Sequence, residues 1–295
     1  MKERILVNIK SFGGYIIMKK LCMVLALVLA LSFVVAGCAK PAANYENGLD
    51  KVMKTGKLVV AMSPDFAPME FVDASKSGQE QYVGFDVELA KYIAAELGVE
   101  LEITALDFDS CQAAVSSKTV DVSISGFSWM PDRAENYNLS DFYYAGDNES
   151  EQCILILAEN ADALKAKEDF AGKTVSAQNA SLQMSLLTEQ LPDATANPIV
   201  DLNTAVMELV NGYVDAVCVA KGNGEAYIAN YPELMLSEFQ FTVEDEGNLI
   251  LIPKGEDELT AKINEILAKA YDAGVYGGWY EDAKALAASM GIELD

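Results

Sequence analysis

"GFDVELAKYIAAELG" (84–98) sets Leu89, Ile93 and Leu97 four residues apart, with Ala90 and Ala94 beside them, and ends on a glycine. An apolar stripe at that spacing, closed by Gly98, predicts an amphipathic helix. On either side lie "KLVVAMS" (57–63) and "LEITALD" (101–107), short apolar and β-branched runs that predict strands. Strand, helix, strand is the repeating unit of an α/β sheet.

The alternation continues outward. "SCQAAVSSK" (110–118) predicts a short helix, "TVDVSISG" (119–126) a strand, and "PDRAENY" (131–137) a short helix with Pro131 near its first position. A second block follows: strands "CILILA" (153–158) and "KTVSAQ" (173–178), helices "SLQMSLLTEQL" (181–191) and "NTAVMELVNG" (203–212), strand "YVDAVCVA" (213–220), helix "GEAYIANY" (224–231). The chain closes with strand "NLILIPKG" (248–255), helix "DELTAKINEILAKAYDAG" (257–274) and the aromatic tail "VYGGWYEDAKALAA" (275–288). Two such blocks predict two α/β lobes. No long linker, low-complexity run or short-period repeat interrupts the chain after residue 50.

Half of the 295 residues are apolar, enough for one large core or two medium ones. The net charge is −24, and near −28 once the +4 of residues 1–37 is set aside. Such a surface repels polyphosphate, so nucleic acid is not an expected partner. The chain has no histidine. Ser-His and Cys-His dyads, His-ligated zinc and imidazole acid–base catalysis are thereby excluded. The cysteines are Cys22, Cys38, Cys111, Cys153 and Cys218, without CxxC or metal-ligand spacing. The last three sit in apolar surroundings and read as small core residues rather than a disulfide. No metal and no cofactor are expected.

The N-terminus reads as an address. "MKKLCMVLALVLALSFVVAGCAKP" (18–41) sets two lysines before about fifteen apolar residues, a short run for a spanning helix, and ends in small residues before Cys38. Val35-Ala36-Gly37-Cys38 resembles the lipobox of bacterial lipoproteins, whose cysteine is diacylated and becomes the new N-terminus. Residues 1–37 are then a signal peptide, 1–17 an over-extended start before Met18, and 38–49 a tether. The working part begins near Asp50, outside the cytoplasm and held to a membrane by lipid.

The chain has two arginines, Arg4 and Arg133, so the exported part keeps one guanidinium, just after the turn "SGFSWM". "GFDVELAKYIAAEL" (84–97) resembles the signature of the family 3 bacterial solute-binding proteins, which serve polar amino-acid ABC transporters. "LVVAMSPDFAPMEF" (58–71) is similar to that family's first strand and aromatic loop, "SGFSWMPDR" (125–133) to its carboxylate-binding turn. "LSDFYY" (139–144) and "GNLILIPKGEDEL" (247–259) are similar to its two crossovers. The resemblance runs in order from about residue 50 to 290.

The resemblance implies a two-lobed periplasmic-binding-protein-like fold of type II, with crossovers near 143–147 and 244–248. Lobe 1 is then 50–143 plus 248–295, and lobe 2 is 148–244, with a ligand in the cleft between them. It implies that Arg133 forks onto a ligand carboxylate, with N–H groups of Ser125 and Gly126 and the Ser128 hydroxyl helping. Ser63, Phe66 and Phe108 fall among its cleft-lining positions, the two aromatics as walls. Gln178, Asn179, Ala180 and Ser181 match the loop entering a lobe 2 helix, where free N–H groups meet the carboxylate from the other side. Trp129 either lines the cleft or packs between helix and sheet. Gln183 either reaches the cleft or is solvated.

One position departs from the family's pattern. Where a lobe 2 carboxylate usually accepts the ligand's ammonium, "VDAVCVAKGNG" (214–224) puts Ala220. Either the ligand lacks an ordinary α-ammonium, or Asp65, Asp109 or Glu225 supplies the contact, or the register lies a residue or two away. Lys221 suits a second ligand carboxylate if it points inward and is otherwise solvated. The function expected is capture of a small carboxylate-bearing solute by a monomeric, membrane-anchored lipoprotein that hands it to ABC permease subunits. The alternatives are a cyclohexadienyl-dehydratase-like enzyme on the same fold and a ligand sensor without transport.

Overall fold

The computed structural model describes residues 44–144, 151–243 and 247–290. The leader, the lipobox with Cys38 and most of the tether lie outside the described residues, as do most residues of both expected crossovers. The compact unit begins at Glu46. Its first helix, α1 (Gly48–Thr55), starts because the Asn47 side chain accepts the Asp50 N–H, so the last two residues assigned to the tether are helical.

The chain continues β1 (Lys57–Met62), β2 (Asp65–Phe66), β3 (Glu70–Val72), β4 (Tyr82–Val83), α2 (Phe85–Leu97), β5 (Glu100–Ala105), α3 (Phe108–Ser116), β6 (Val122–Ser128), α4 (Pro131–Asn136) and β7 (Tyr137–Leu139). It then runs β8 (Gln152–Leu157), β9 (Thr174–Gln178), α5 (Leu182–Gln190), β10 (Thr195–Ile199), α6 (Leu202–Val210), β11 (Ala216–Ala220), α7 (Lys221–Asn230) and β12 (Leu234–Gln240). β13 (Asn248–Pro253), α8 (Asp257–Asp272) and α9 (Tyr276–Met290) complete it.

Two five-stranded sheets result, ordered β5-β1-β6-β13-β7 and β10-β9-β11-β8-β12. In the first, β1 pairs in parallel with β5 and β6, and β13 runs antiparallel to β6 and β7. The second repeats the plan: β9 is parallel to β10 and β11, and β8 is antiparallel to β11 and β12. β2, β3 and β4 form a small separate sheet that the sequence reading did not anticipate. Only a two-residue strand holds each of its edges, too short for a periodicity signal.

Helix α2 buries Val87, Leu89, Ala90, Ile93, Ala94 and Leu97 and stops at Gly98, whose φ of 70° is the left-handed cap a glycine adopts freely. Each large aliphatic side chain so buried contributes roughly 1.5–3 kcal/mol. Its first residue, Phe85, sits among Tyr276, Trp279 and Tyr280, with ring centroids 5.9–6.3 Å away. The aromatic tail is thus helix α9, docked by its rings. Cys111, Cys153 and Cys218 are buried thiols with no disulfide, as their surroundings implied. Among the described residues no helix is long and apolar enough to cross a membrane.

The strand ends that carry the loops of both sheets face one seam. At one end of it Tyr143 donates its N–H to Asn248 O (2.9 Å), and Asn248 N–H goes to Tyr144 O (2.7 Å), so the two passages between sheets are paired where they leave the first.

Candidate functional site

Arg133 lies on α4, started by Pro131, and is only 3% exposed. Its Nη1 donates to Ser128 O at 2.7 Å and its Nη2 to Ala180 O at 3.0 Å, the second bond crossing the seam. The guanidinium lies over the rings of Phe108 (5.6 Å) and Phe127 (5.1 Å), which stack on each other at 4.8 Å. A cation held over ring faces away from water keeps its charge and gains strength for any anion that reaches it. Phe108 therefore acts as a floor beneath the cation.

The turn before Arg133 is built differently from the expectation. The Gly126 N–H is taken by Asp86 Oδ2 at 2.8 Å, so the reading that it donates to a ligand does not hold here. Ser125 Oγ donates to Glu70 Oε1 and accepts the Ser63 N–H at 3.0 Å. Ser128 gives Arg133 its carbonyl. Gly126 has φ +56°, and a Cβ there would meet Phe66 Cε1 at 2.8 Å, so the aromatic wall rests flat on a glycine that no other residue replaces without displacement.

Across the seam, Ser181 caps α5 by accepting the Met184 N–H (3.0 Å). Ala180 takes φ +56°, a conformation that costs a residue with Cβ about 1 kcal/mol. That backbone presents the Ala180 carbonyl to both Arg133 and Gln112 Nε2 (3.3 Å). Gln178 Nε2 donates to Asp65 Oδ2 (2.9 Å), and Asn179 Nδ2 to Asp109 Oδ2 (3.0 Å).

Asp65 is the residue that sequence reasoning undervalued. It is 8% exposed and accepts from Ser63 Oγ (2.8 Å), Gln178 Nε2 and the first N–H of α6, Leu202 N (2.8 Å). It caps from one lobe a helix belonging to the other. Burial pushes its carboxyl up to about 6, against the opposing pull of those donors. Asn223 Nδ2 adds a further bridge to Ala67 O at 2.7 Å, and Tyr227 Oη reaches Asp65 O at 3.4 Å. Asn223 and Tyr227 carried no sequence signal, because a polar residue in a short helix reads as solvated.

Ala220 ends β11, buried, with Gln152 as its cross-strand partner. Directly paired residues share a face, so the Gln152 side chain lies beside the methyl. Gln183 Nε2 donates to Gln152 Oε1 at 2.7 Å, a bond within its own lobe. Lys221 donates to Glu151 Oε1 at 2.9 Å and so spends its charge on a neighbour in its own lobe. Asp109 is engaged by Asn179, and Glu225 lines a separate groove with Pro68 and Tyr280. Trp129 is 47% exposed, so it is not packed between helix and sheet.

A cavity of about 400 Å³ opens beside the seam, lined by Ser63, Asp65, Leu106 and Asp107 from one side and Asp201 and Asn203 from the other. That volume suits a small solute. Arg133 is not among its lining residues, since Ala180 covers the guanidinium in this closed arrangement. No cluster of potential metal ligands occurs among the described residues.

Residues 58–282 match the model of the bacterial extracellular solute-binding proteins, family 3. The chain belongs to that family. Among its relatives is the arginine-binding extracellular protein ArtP of Bacillus subtilis, 29% identical, the match covering 85% of this chain and 93% of ArtP. Its fold is similar to that of an amino acid ABC transporter substrate-binding protein, AbpA of Streptococcus pneumoniae, solved bound to L-arginine: TM-score 0.75, 30% identity, 81% of this chain and 98% of that one. It is similar also to AncCDT-1, an ancestral amino-acid-binding protein and precursor of cyclohexadienyl dehydratase: TM-score 0.70, 31% identity, 79% and 98% covered. The family 3 protein described here is therefore a two-lobed α/β binding protein of the extracytoplasmic class.

Proposed function

We propose that the protein is the lipid-anchored substrate-binding component of an ABC importer, taking a small carboxylate-bearing solute between its lobes and breaking no bond in it. The observation that carries this reading is the position of Arg133: the single guanidinium beyond Arg4, buried over two phenyl rings, with one donor on a main-chain carbonyl of the opposite lobe. A carboxylate entering the opened cleft replaces that neutral acceptor by an anion. Hydrogen bonds to charged groups contribute about 1.5–3 kcal/mol, roughly twice the neutral value. A ligand gripped from both sides then stabilises the shut form. The relatives bind amino acids, which supports the substrate class.

The solute is not a plain α-amino acid held in the usual geometry. At Ala220 lobe 2 offers a buried methyl, paired across the strands with Gln152. A buried ammonium with no anionic acceptor costs several kcal/mol, enough to erase micromolar affinity. Carboxylates whose second polar group is uncharged or modified fit this wall better. Calorimetry with amino acids, keto acids and small amides on wild type and Ala220→Asp tests it. Unmodified amino acids are expected to gain about tenfold from Ala220→Asp; tight wild-type binding that the substitution leaves alone would overturn the reading.

The likeness to AncCDT-1 gives the dehydratase reading its one foothold. It requires a positioned acid in the cleft; Asp65 and Asp109 are committed to lobe 2 amides and Asp201 to the start of α6, which leaves Asp107, on the cavity wall, as the acid such a reaction would use. Turnover of a prephenate-like substrate by the purified protein would favour that alternative. Anchoring through Cys38 predicts fatty-acid labelling that Cys38→Ser abolishes.

A further inference from the structure

Beneath the turn that carries Ser125 and Gly126, two carboxyl groups are buried together. Glu70 on β3 and Asp86 in the first turn of α2 are both 0% exposed. The Asp86 N–H bonds the carbonyl of Met69, the residue before Glu70, at 2.8 Å, and the two carboxyl groups take donors from adjacent residues, Ser125 and Gly126, which sets them side by side. Asp86 accepts from the Gly126 N–H (2.8 Å) and from Tyr143 Oη (2.9 and 3.1 Å). Glu70 Oε1 accepts from Ser125 Oγ, while Oε2 is buried with no donor directed at it. The groups acting most strongly on the pair are one another, Asp65, Ser125, Gly126 and Tyr143, and none is a cation.

Two adjacent carboxylates out of reach of water and of any cation cannot both ionise. The donors decide which one does. Asp86 has two and is the anion; Glu70 Oε2, with no donor of its own, carries the proton and gives it to Asp86. We propose that Glu70 and Asp86 share a single proton and, as positioning residues, lock the Ser125–Gly126 turn to Tyr143, where the chain leaves the first lobe. The proton completes a continuous path: Ser63 N–H to Ser125 Oγ, Ser125 O–H to Glu70, Glu70 O–H to Asp86, and Asp86 back to Gly126 N–H and Tyr143 O–H. The turn that approaches the solute and the first crossing then move as one body. The role given to the turn rests on the proposed function; the shared proton does not.

Burial and the neighbouring charge push Glu70 well above the usual carboxylate range, and burial pushes Asp86 up to about 7, so Asp86 is the first of the two to ionise and the single-proton state is the one present above about pH 7. A carboxyl whose value is raised by folding holds its proton where the unfolded chain releases it. Stability therefore falls as pH rises from the ordinary value of about 4.3 towards the folded one. Glu70→Gln keeps a donor to Asp86 and an acceptor for Ser125 without that loss.

The test combines carboxyl-carbon NMR titration of the mature wild type with hydrogen exchange at the Gly126 amide. Glu70 is expected to keep its proton at a pH where Asp86 has already lost its own. Glu70→Gln is expected to keep Gly126 exchange within about threefold of wild type and to gain a few degrees of Tm over it as pH rises above the ordinary carboxylate range. Glu70→Leu, similar in size but without polar atoms, should speed Gly126 exchange more than tenfold. Ionisation of Glu70 in the ordinary range, or Gly126 exchange indifferent to Glu70→Leu, overturns the proposal. The titration reads wild type, so a Leu variant that fails to fold leaves it decisive. Wild type that bound no carboxylate at all would sink the functional reading and leave both readouts standing.

Discussion

The two walls of the seam are made of different chemistry. The first lobe contributes most of the ionisable groups: Asp65, Glu70, Asp86 and Arg133, all buried, with Asp109 half-buried and Asp107 exposed. The second answers mainly with amides and main chain, Gln178, Asn179, Asn223, the Leu202 N–H and the Ala180 carbonyl, its Asp201 being held at the start of α6. Charged groups are costly to desolvate and must be fixed in advance by neighbours, as the path from Ser63 to Tyr143 does. Neutral donors and acceptors lose little when the cleft opens to water and regain it on closing. One wall is thus a preset socket and the other a cover that opens and shuts at small cost.

The asymmetry breaks most completely at the socket's cation. Arg133→Met should lower affinity for the co-purified solute at least ~100-fold in calorimetry, because the carboxylate loses charge-assisted bonds and is left buried without a partner. Uptake by cells carrying this variant should fall to background; uptake at wild-type level would refute the central role of the guanidinium.

A smaller effect is expected at the joint between walls. Asp65→Ala removes the bond of Gln178 Nε2 across the seam and leaves the first N–H of α6 without its acceptor, and should cost about tenfold in affinity with a larger radius of gyration in solution scattering. Burial raises this carboxyl to about 6, and opening to water would return it towards the ordinary value of about 3.9, so closing is expected to take up a proton. The closed form is therefore favoured at low pH and loses that contribution as pH rises through about 6. Wild-type affinity should increase on going from pH 7 to pH 5, and Asp65→Asn should flatten the profile. A profile that Asp65→Asn leaves sloped would place the proton elsewhere.

The smallest change is expected on the cover. Ala180→Gly relieves the left-handed strain of φ +56° while keeping the carbonyl that meets Arg133 and Gln112. Denaturant unfolding should show a gain of up to about 1 kcal/mol, with affinity within a few-fold of wild type. A loss of stability would mean that the methyl itself packs at the seam.

Much of this was legible in the chain. The strand–helix alternation around 84–98 is a periodicity, and periodicity survives translation into structure because burial of one face decides it. Arg133 stood out because the sequence spends so few guanidiniums. What stayed hidden were groups whose role depends on partners far along the chain. Asp65 reads as a turn residue, yet it caps a helix 137 positions away. Asp86 reads as an acid in the first turn of a helix, yet it faces inward to Gly126, and so takes the N–H expected for the solute.

By itself, then, the sequence determined the two α/β blocks, the buried thiols, the arginine at the end of its turn and the missing acid at Ala220, since each follows from local pattern or from the identity of one residue. Only the tertiary structure decided that Ala180 covers Arg133, that Asp65 joins the lobes, and that Glu70 lies against Asp86. Those are distances between elements remote in the chain, and hydrogen bonding and desolvation act through distance in space, which no spacing along the sequence encodes.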